Sequence, residues 1–312
     1  MSAASPMTRR LGSLVVVLPF VAASVDVRAA EVAVLKSADV AAWRPTLEAL
    51  HRSASAHSIT EYDLKGAREE AVRVLEGLKP KARETIFVAM GPLAAEVARE
   101  AFPQSRLIFC MIQDPGKLGL LTVPAVTGVA FAVPFRNQLA AFRLVNPEGV
   151  RVGVIYTGTE SGPFFQEAKA AASLVRLALV GRPIAAEKDV PGALRSLLSG
   201  GNAVDALWVP ADASLLGDDT RRFVMSETLK AGRPVYAFSE ALIPEGALVS
   251  DGPSLTSIGE EVGDLVNRVA GGEKGRIDML MPRAELVVNK KIASKLKVEI
   301  PEDALQAASR VY

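Results

Sequence analysis

Histidine and cysteine are scarce in this chain of 312 residues, which has two histidines and one cysteine. His51 and His57 are six positions apart, a spacing that does not place both side chains on one helix face, so we interpret them as surface or rim residues. Cys110 cannot form an internal disulfide, and its apolar neighbours favour a buried, inert thiol. The Gly-x-Ser-x-Gly, His-Glu-x-x-His and P-loop motifs are also missing. We therefore expect no enzymatic activity, no metal site and no cofactor.

The chain also lacks an excess of positive or negative charge, because its formal net charge is only +1. No clustered basic helix and no alternation of basic and aromatic residues occurs, so we expect no nucleic-acid partner. Apolar residues make up 49% of the chain and charged residues 23%, which allows a sizeable core. The length is enough for roughly two domains.

No apolar run reaches the ~20 residues that a membrane-spanning helix needs. The N-terminus has a basic pair, Arg9 and Arg10, a short apolar segment over residues 14–23, and small residues up to Ala29. This pattern predicts a signal peptide over residues 1–30, cleaved after Ala29 or Ala30, with an uncleaved anchor as the alternative. No cysteine lies nearby, which argues against a lipoprotein. We expect a periplasmic protein with no stable membrane insertion after cleavage.

A strand–helix–strand unit over residues 84–115 organises the rest of the chain. Residues 85–90 are an apolar run typical of a strand buried on both faces. Pro92 suits the first turn of a helix, and residues 106–112 predict a second strand. In such parallel units, ligands bind beyond the carboxyl ends of the strands. Here Gly91 and Asp114 lie at those ends.

Strands and helices alternate in two successive blocks of about a hundred residues each. The pattern predicts an α/β fold of two doubly wound parallel-sheet lobes with an interdomain cleft. Hydroxyl, carboxylate and glycine residues follow most of the predicted strands: Ser37, Asp39, Gly91, Asp114, Thr159, Glu160, Ser161, Asp212, Ser214, Ser239, Glu240, Ser250 and Asp251. Helix N-termini there would bind an anion and the carboxylates a cation, so a zwitterion such as an amino acid would satisfy both. The alternative is that each residue only caps its own helix.

An ordered series of segments resembles the ABC transporter substrate-binding proteins of the tryptophan- and tyrosine-binding type. The segments span nearly the whole mature chain: VAMGPLAAEVA (88–98), IQDPGKLGLL (112–121), VTGV (126–129), RVGVIYTGTES (151–161), LWVPAD (207–212), VYAFSE (235–240), GALVSDGPSLTSIG (246–259) and LVVNKKIASKLKVEIP (286–301).

The resemblance implies a type I periplasmic-binding fold that closes on a small molecule. It implies a first lobe of residues 31–131 plus 250–281, a second lobe of residues 132–249, and a segment over residues 282–312 packed across both. Its ligand-contacting loops fall on Gly91, Asp114, Glu160, Ser161, Asp212, Ser239, Glu240 and Asp251, with Ser37, Phe131 and Thr159 completing the candidate pocket. Two departures from the family, at Ala130 or Phe131 and in the loop after Tyr156, lie in the pocket wall and bear on the ligand.

Three functions are consistent with these patterns. The first is an exported solute-binding protein that delivers a small polar or amino-acid-like ligand to an ABC permease. The second is a periplasmic ligand-sensing lobe that reports to a signalling partner. The third is an enzyme that uses paired cleft carboxylates.

Overall fold

The computed structural model describes residues 29–159, 162–211, 217–273 and 275–312. Residues 1–28 of the expected signal peptide lie outside this part of the chain. Among the described residues, no helix combines the length and the apolar character that crossing a membrane requires.

The first sheet has five parallel strands in the order β2-β1-β3-β4-β5. They are β1 (Glu31–Lys36), β2 (Ser58–Asp63), β3 (Thr85–Met90), β4 (Leu107–Cys110) and β5 (Val126–Gly128). Helices α1 (Arg44–Ser53), α2 (Arg68–Leu78) and α3 (Pro92–Ala101) alternate with them. All six residues of β3 are buried, as the uninterrupted apolar run predicts for a central parallel strand.

The second sheet has seven strands in the order β12-β11-β10-β9-β8-β6-β7. They are β6 (Arg151–Thr157), β7 (Ala178–Ile184), β8 (Ala206–Val209), β9 (Val235–Ala237), β10 (Val249–Pro253), β11 (Ala284–Val288) and β12 (Arg310–Val311). All neighbouring pairs are parallel except β10 with β11. The helices of this part are α4 (Phe135–Val145), α5 (Pro163–Leu174), α6 (Val190–Leu198) and α7 (Asp218–Lys230). Helices α9 (Lys290–Leu296) and α10 (Glu302–Ala307) follow β11.

Helix α8 (Leu255–Ala270) packs on α1 rather than on the second sheet. Two glycines permit this close approach: a Cβ at Gly259 would collide with the carbonyl of Thr46, and one at Gly263 with the side chain of Ser53. The buried stripe of α8 joins the core on one face of the first sheet, so this helix connects back to the first lobe. Apolar clusters cover both faces of each sheet, which the parallel topology requires.

Strand β10 lies in the second sheet, although residues from 250 onward were expected in the first lobe. It pairs with β9 through Val249 and Ser250 and with β11 along its whole length. The C-terminal strands β11 and β12 extend the same sheet, and α10 packs on α4. An apolar strand pattern indicates that a strand is buried but not which sheet it joins. The sequence alone therefore did not predict that β10 belongs to the second sheet. The division of the chain into two lobes otherwise stays a prediction.

Candidate functional site

The carboxyl edge of the first sheet, where its parallel strands end, is tightly packed around Gly91. This residue has φ +88°, and a Cβ there would lie 2.7 Å from Ser37 Oγ and 2.8 Å from Trp43 Cη2. Ser37 Oγ accepts a hydrogen bond at 3.0 Å from the backbone N–H of Ala94 in the first turn of α3. Ser37 and Gly91 therefore lie side by side, and Ser37 satisfies an N–H group in the first turn of the helix that begins at Pro92. Their contact with a ligand stays a prediction.

Asp114 lies in the turn after β4 and is half exposed. Its Oδ1 accepts a hydrogen bond at 3.0 Å from the Lys117 backbone N–H, and its Oδ2 is 3.3 Å from Lys117 Nζ. These contacts, led by the backbone hydrogen bond, lower the pKa of Asp114. Beside it, Gln113 Nε2 donates to the Ala211 carbonyl at 3.4 Å, so the turn after β4 touches the turn after β8.

Phe131 lies where the chain leaves the first sheet. It is half buried and packs on the core shared by that sheet and α8. Just before it, the Ala130 N–H donates to the Leu280 carbonyl and the Leu280 N–H donates to the Gly128 carbonyl, both at 2.9 Å. Two chain segments that run between the lobes are thus hydrogen-bonded side by side next to Phe131.

The remaining predicted residues that the structure describes, Thr159, Ser239, Glu240 and Asp251, lie in or follow strands of the second sheet. Glu160, Ser161 and Asp212 lie outside the described residues. Thr159 is exposed, and its carbonyl accepts a hydrogen bond from the Gly162 N–H at 2.9 Å, which leads into α5. Ser239 caps the short helix Glu240–Leu242 by accepting from the Ala241 N–H at 3.3 Å.

Glu240 binds the C-terminal strand. Its carboxylate pairs with Arg310 and accepts a hydrogen bond at 2.7 Å from the Tyr312 hydroxyl. Its charge is therefore already compensated within the protein. The place of Glu240 in a ligand pocket stays a prediction.

Asp251 differs from the other carboxylates because it is only 5% exposed. It follows the last residue of β10 that pairs with β9, at the carboxyl edge of the second sheet, and lies opposite Leu286 of β11. No hydrogen bond or ion pair joins its carboxylate to another described residue. Burial raises its pKa to about 6, since removal from water disfavours the charged form.

An aromatic cluster at the same edge was not among the predicted site residues. Phe135 and Phe164 lie in the first turns of α4 and α5, and both are half buried. Their rings meet edge-on at 5.3 Å, and each contacts Trp208 of β8, at 5.4 and 6.1 Å. The Trp208 indole N–H donates at 3.2 Å to Gln138, which fixes the ring. Aromatic residues one or two positions into helices that follow parallel strands were the sequence signal for this surface.

The two connections between β10, α8 and β11 are hydrogen-bonded to each other. The Ser254 N–H donates to the Arg283 carbonyl at 2.8 Å, and the Arg283 N–H donates to Ser257 Oγ at 3.1 Å. Ser254 Oγ also donates to Glu285 at 2.5 Å while it caps α8 through the Ser257 N–H. These segments link the second sheet to α8, and through α8 to the first lobe.

The one cysteine and the two histidines of the chain are either buried or hydrogen-bonded to other residues. Cys110 is buried, as its apolar neighbours indicated, and burial raises its pKa to about 12, which disfavours the reactive thiolate. His51 lies on the exposed side of α1 and bonds Glu61 at 2.8 Å. His57 is buried rather than at the surface: its ring bonds Asn267 of α8 at 3.0 Å and the Ala30 N–H at 3.2 Å. Within the described ranges, no group of three His, Cys, Asp or Glu side chains could hold a metal ion.

Solved structures share this fold at low sequence identity. A domain from Streptococcus pneumonia in complex with L-Trp matches with a TM-score of 0.65 and 21% identity, covering 91% of this chain and 100% of that one. The ligand-free, open structure of a substrate binding protein with adhesive properties from Clostridium difficile has a TM-score of 0.76 and 18% identity, with 90% and 99% covered. A periplasmic ribose ABC transporter from Conexibacter woesei has a TM-score of 0.55 and 12% identity, with 90% and 98% covered. The fold is thus of the type I periplasmic-binding kind.

Comparison with curated proteins found no match. The family described as ABC transporter substrate binding protein matches residues 46–312, which is most of the chain. This confirms the family that the ordered sequence segments indicated. The chain belongs to the ABC transporter substrate binding protein family.

Proposed function

We propose that this protein is the exported solute-binding component of an ABC uptake system and captures a small polar or amino-acid-like ligand between its two lobes. It then delivers that ligand to an ABC permease and catalyses no reaction. The periplasm is the compartment in which such a receptor meets its ligand.

The observation that best supports a shared pocket is the contact between the turns after β4 and β8. Gln113 Nε2 and the Ala211 carbonyl are 3.4 Å apart, although they belong to different sheets. This contact supports a pocket shared by the carboxyl ends of the parallel strands of both sheets. In open α/β sheets this edge is where ligands bind.

The chemistry of the two edges supports a ligand with both polar and apolar parts. The first edge has the N-terminus of α3, which favours negative charge. The second edge has the half-buried rings of Phe135 and Phe164 and the buried carboxylate of Asp251. An amino acid with an apolar side chain matches these three features. A protein of the same fold was solved in complex with L-Trp, which agrees with this ligand class.

A ligand screen tests the proposal directly. The purified chain is unfolded and refolded to remove any co-purified ligand, then heated with single amino acids, small organic acids or sugars. A ligand at a hundred times its Kd adds about 2.7 kcal/mol of stability, which raises the Tm by several degrees. Small-angle scattering of the same samples should show a smaller radius of gyration with the active ligand, since closure brings the lobes together. Absence of any shift at millimolar concentrations would refute the proposal.

A further inference from the structure

His57 is a buried histidine that connects the start of the first sheet to two helices. It lies between α1 and β2 and is only 8% exposed. Its Nε2 is 3.0 Å from Asn267 Oδ1 of α8, and its Nδ1 accepts a hydrogen bond from the Ala30 N–H at 3.2 Å. The Asn267 amide donates in turn to the Ser53 carbonyl of α1 at 3.0 Å. Because Ala30 precedes β1, this network lies at the amino edge of the first sheet, opposite the candidate ligand site.

The hydrogen bonds of the network determine which His57 nitrogen carries the proton. Because the Asn267 Nδ2 group donates to the Ser53 carbonyl, Oδ1 of the same amide faces His57 and can only accept. Nε2 of His57 therefore carries the proton, and Nδ1 is an acceptor. The N–H that Nδ1 accepts is that of Ala30. His57 is thus a neutral acceptor aimed at the main-chain nitrogen of Ala30.

Ala30 is also the residue at which the sequence favours the removal of a signal peptide. Cleavage after Ala29 has small residues, Val27 and Ala29, at the third and first positions before the cut. Cleavage one residue later would place Arg28, a long cation, at the third position. The nitrogen from which His57 accepts is therefore the one that cleavage after Ala29 would set free.

The surroundings of Ala30 suit a charged amino group. Its carbonyl accepts a hydrogen bond from the Ser58 N–H at 3.0 Å, which continues the pairing of β1 with β2 and holds the residue in place. Ala30 borders an open groove of about 510 Å³ whose lining includes one carboxylate, Glu84, and two cations, Arg83 and Arg106. An ammonium group has three N–H groups, so one can bond the histidine while the other two reach water in this groove.

We propose that a signal peptidase cleaves this chain between Ala29 and Ala30 and that His57 then binds the new N-terminal ammonium group. Hydrolysis of the peptide bond consumes one water, leaves a carboxylate on the released peptide and gives Ala30 an amino group. An α-amino group has an ordinary pKa of about 8, so it takes up a proton at neutral pH. The hydrogen bond to His57 then becomes a charge-assisted one, which is stronger. This inference rests on the export part of the proposed function and not on the ligand.

The mass of the exported protein tests the cleavage site. The full chain is expressed in a Gram-negative bacterium, and the protein is isolated from the periplasm and measured by intact-mass spectrometry. We expect the mass of residues 30–312. A mass of residues 31–312, or of a chain with any other start, would overturn the inference, because Ala30 would then be absent or would have no free amino group.

Acetylation of the N-terminus tests the role of His57. His57→Asn keeps an acceptor oxygen at the place of Nδ1, whereas His57→Gln places its amide at Nε2 and leaves the N-terminus without an acceptor. The exported wild type and both variants are treated with limiting acetic anhydride at neutral pH, and the modified fraction of each peptide is measured by mass spectrometry. The α-amino group should react at least about tenfold faster in His57→Gln than in the wild type, as expected for the loss of a hydrogen bond to a charged group.

Two controls keep this comparison specific. The His57→Asn chain should react more like the wild type than like His57→Gln, which a general loosening of the fold would not produce. The exposed Lys291 of α9 should react equally in all three chains and serves as the internal reference. Thermal unfolding of each variant verifies that it is folded at the temperature of the reaction.

The outcomes separate this inference from solute binding. Equal acetylation of the α-amino group in the wild type and His57→Gln would overturn the docking on His57, even for a chain that begins at Ala30. A chain that keeps its N-terminal residues, or is not exported, would overturn the inference together with the export part of the proposed function. Ligand binding is measured separately on the refolded chain, so its success or failure does not alter this result.

Discussion

The buried carboxylate of Asp251 should destabilise the ligand-free protein at neutral pH, and Asp251→Asn should relieve this. Its pKa is about 6 in the folded chain against an ordinary value of 3.8. A group whose folded pKa is raised binds more protons in the folded state, so ionisation opposes folding. The penalty is absent below pH 3.8, develops between pH 3.8 and about 6, and is complete above it. The difference in pKa corresponds to about 3 kcal/mol.

Urea denaturation of the refolded, ligand-free chain measures this effect. The free energy of unfolding is determined for the wild type, Asp251→Asn and Asp264→Asn from pH 3.5 to 7.5. The Asp251→Asn variant should gain stability relative to the wild type by about 3 kcal/mol across this range, with most of the change between pH 4 and 6. The Asp264→Asn variant makes the same change of charge at an exposed residue of α8 and serves as the control. A pH-independent difference for Asp251→Asn would refute the assignment of Asp251 as a buried, uncompensated carboxylate.

Three further substitutions probe packing and capping near the site. Gly91→Ala should destabilise the protein by more than the control Gly66→Ala, because both residues have positive φ but only Gly91 lies against other side chains. Urea denaturation should show a loss of unfolding free energy of about 1 kcal/mol for Gly66→Ala and about 1–3 kcal/mol more for Gly91→Ala. Equal losses for the two variants would contradict the crowding at Gly91. Ser37→Ala removes the cap of α3 and should cost about 1 kcal/mol, which the same titration would show, whereas an unchanged midpoint would mean that the hydrogen bond to Ala94 adds no stability. Ser250→Ala should be neutral or slightly stabilising in thermal unfolding, because the Ser250 hydroxyl is buried without a hydrogen-bond partner in the described chain; a loss of more than about 1 kcal/mol would show that this hydroxyl is satisfied after all.

Local sequence patterns predicted the elements of this fold well. The apolar run that became β3 is buried at every position, and Ser254 caps α8 as its place before an amphipathic stripe indicated. Strand lengths were less predictable. Residues 106–112 were expected as one strand, yet β4 ends at Cys110 because Met111 takes a positive φ of 58°. Backbone conformation at a strand end depends on the packing of the next loop, and apolar composition does not encode it.

The candidate site could be predicted only as a set of positions. That polar residues follow parallel strands is a local property, and it singled out Ser37 and Asp251 as candidates. Their different environments are tertiary properties: Ser37 is bonded to α3, Glu240 to the C-terminal strand, and Asp251 to no other described residue. The half-buried pair of Phe135 and Phe164 was missed for the same reason, because helical periodicity alone does not distinguish a ring in the core from one at the edge of a pocket.

The paired strands β10 and β11 constrain how the two lobes can move. Because Ser254 and Arg283 are joined by a backbone hydrogen bond, both connections to α8 form one two-stranded ribbon, and neither can bend without the other. The third connection, next to Phe131, is joined to the α8–β11 connection in turn, because the Ala130 N–H donates to the Leu280 carbonyl. All three connections are thus hydrogen-bonded in one row. A relative motion of the lobes would bend the three segments together, which favours rotation about this row over a sliding of one lobe along the other.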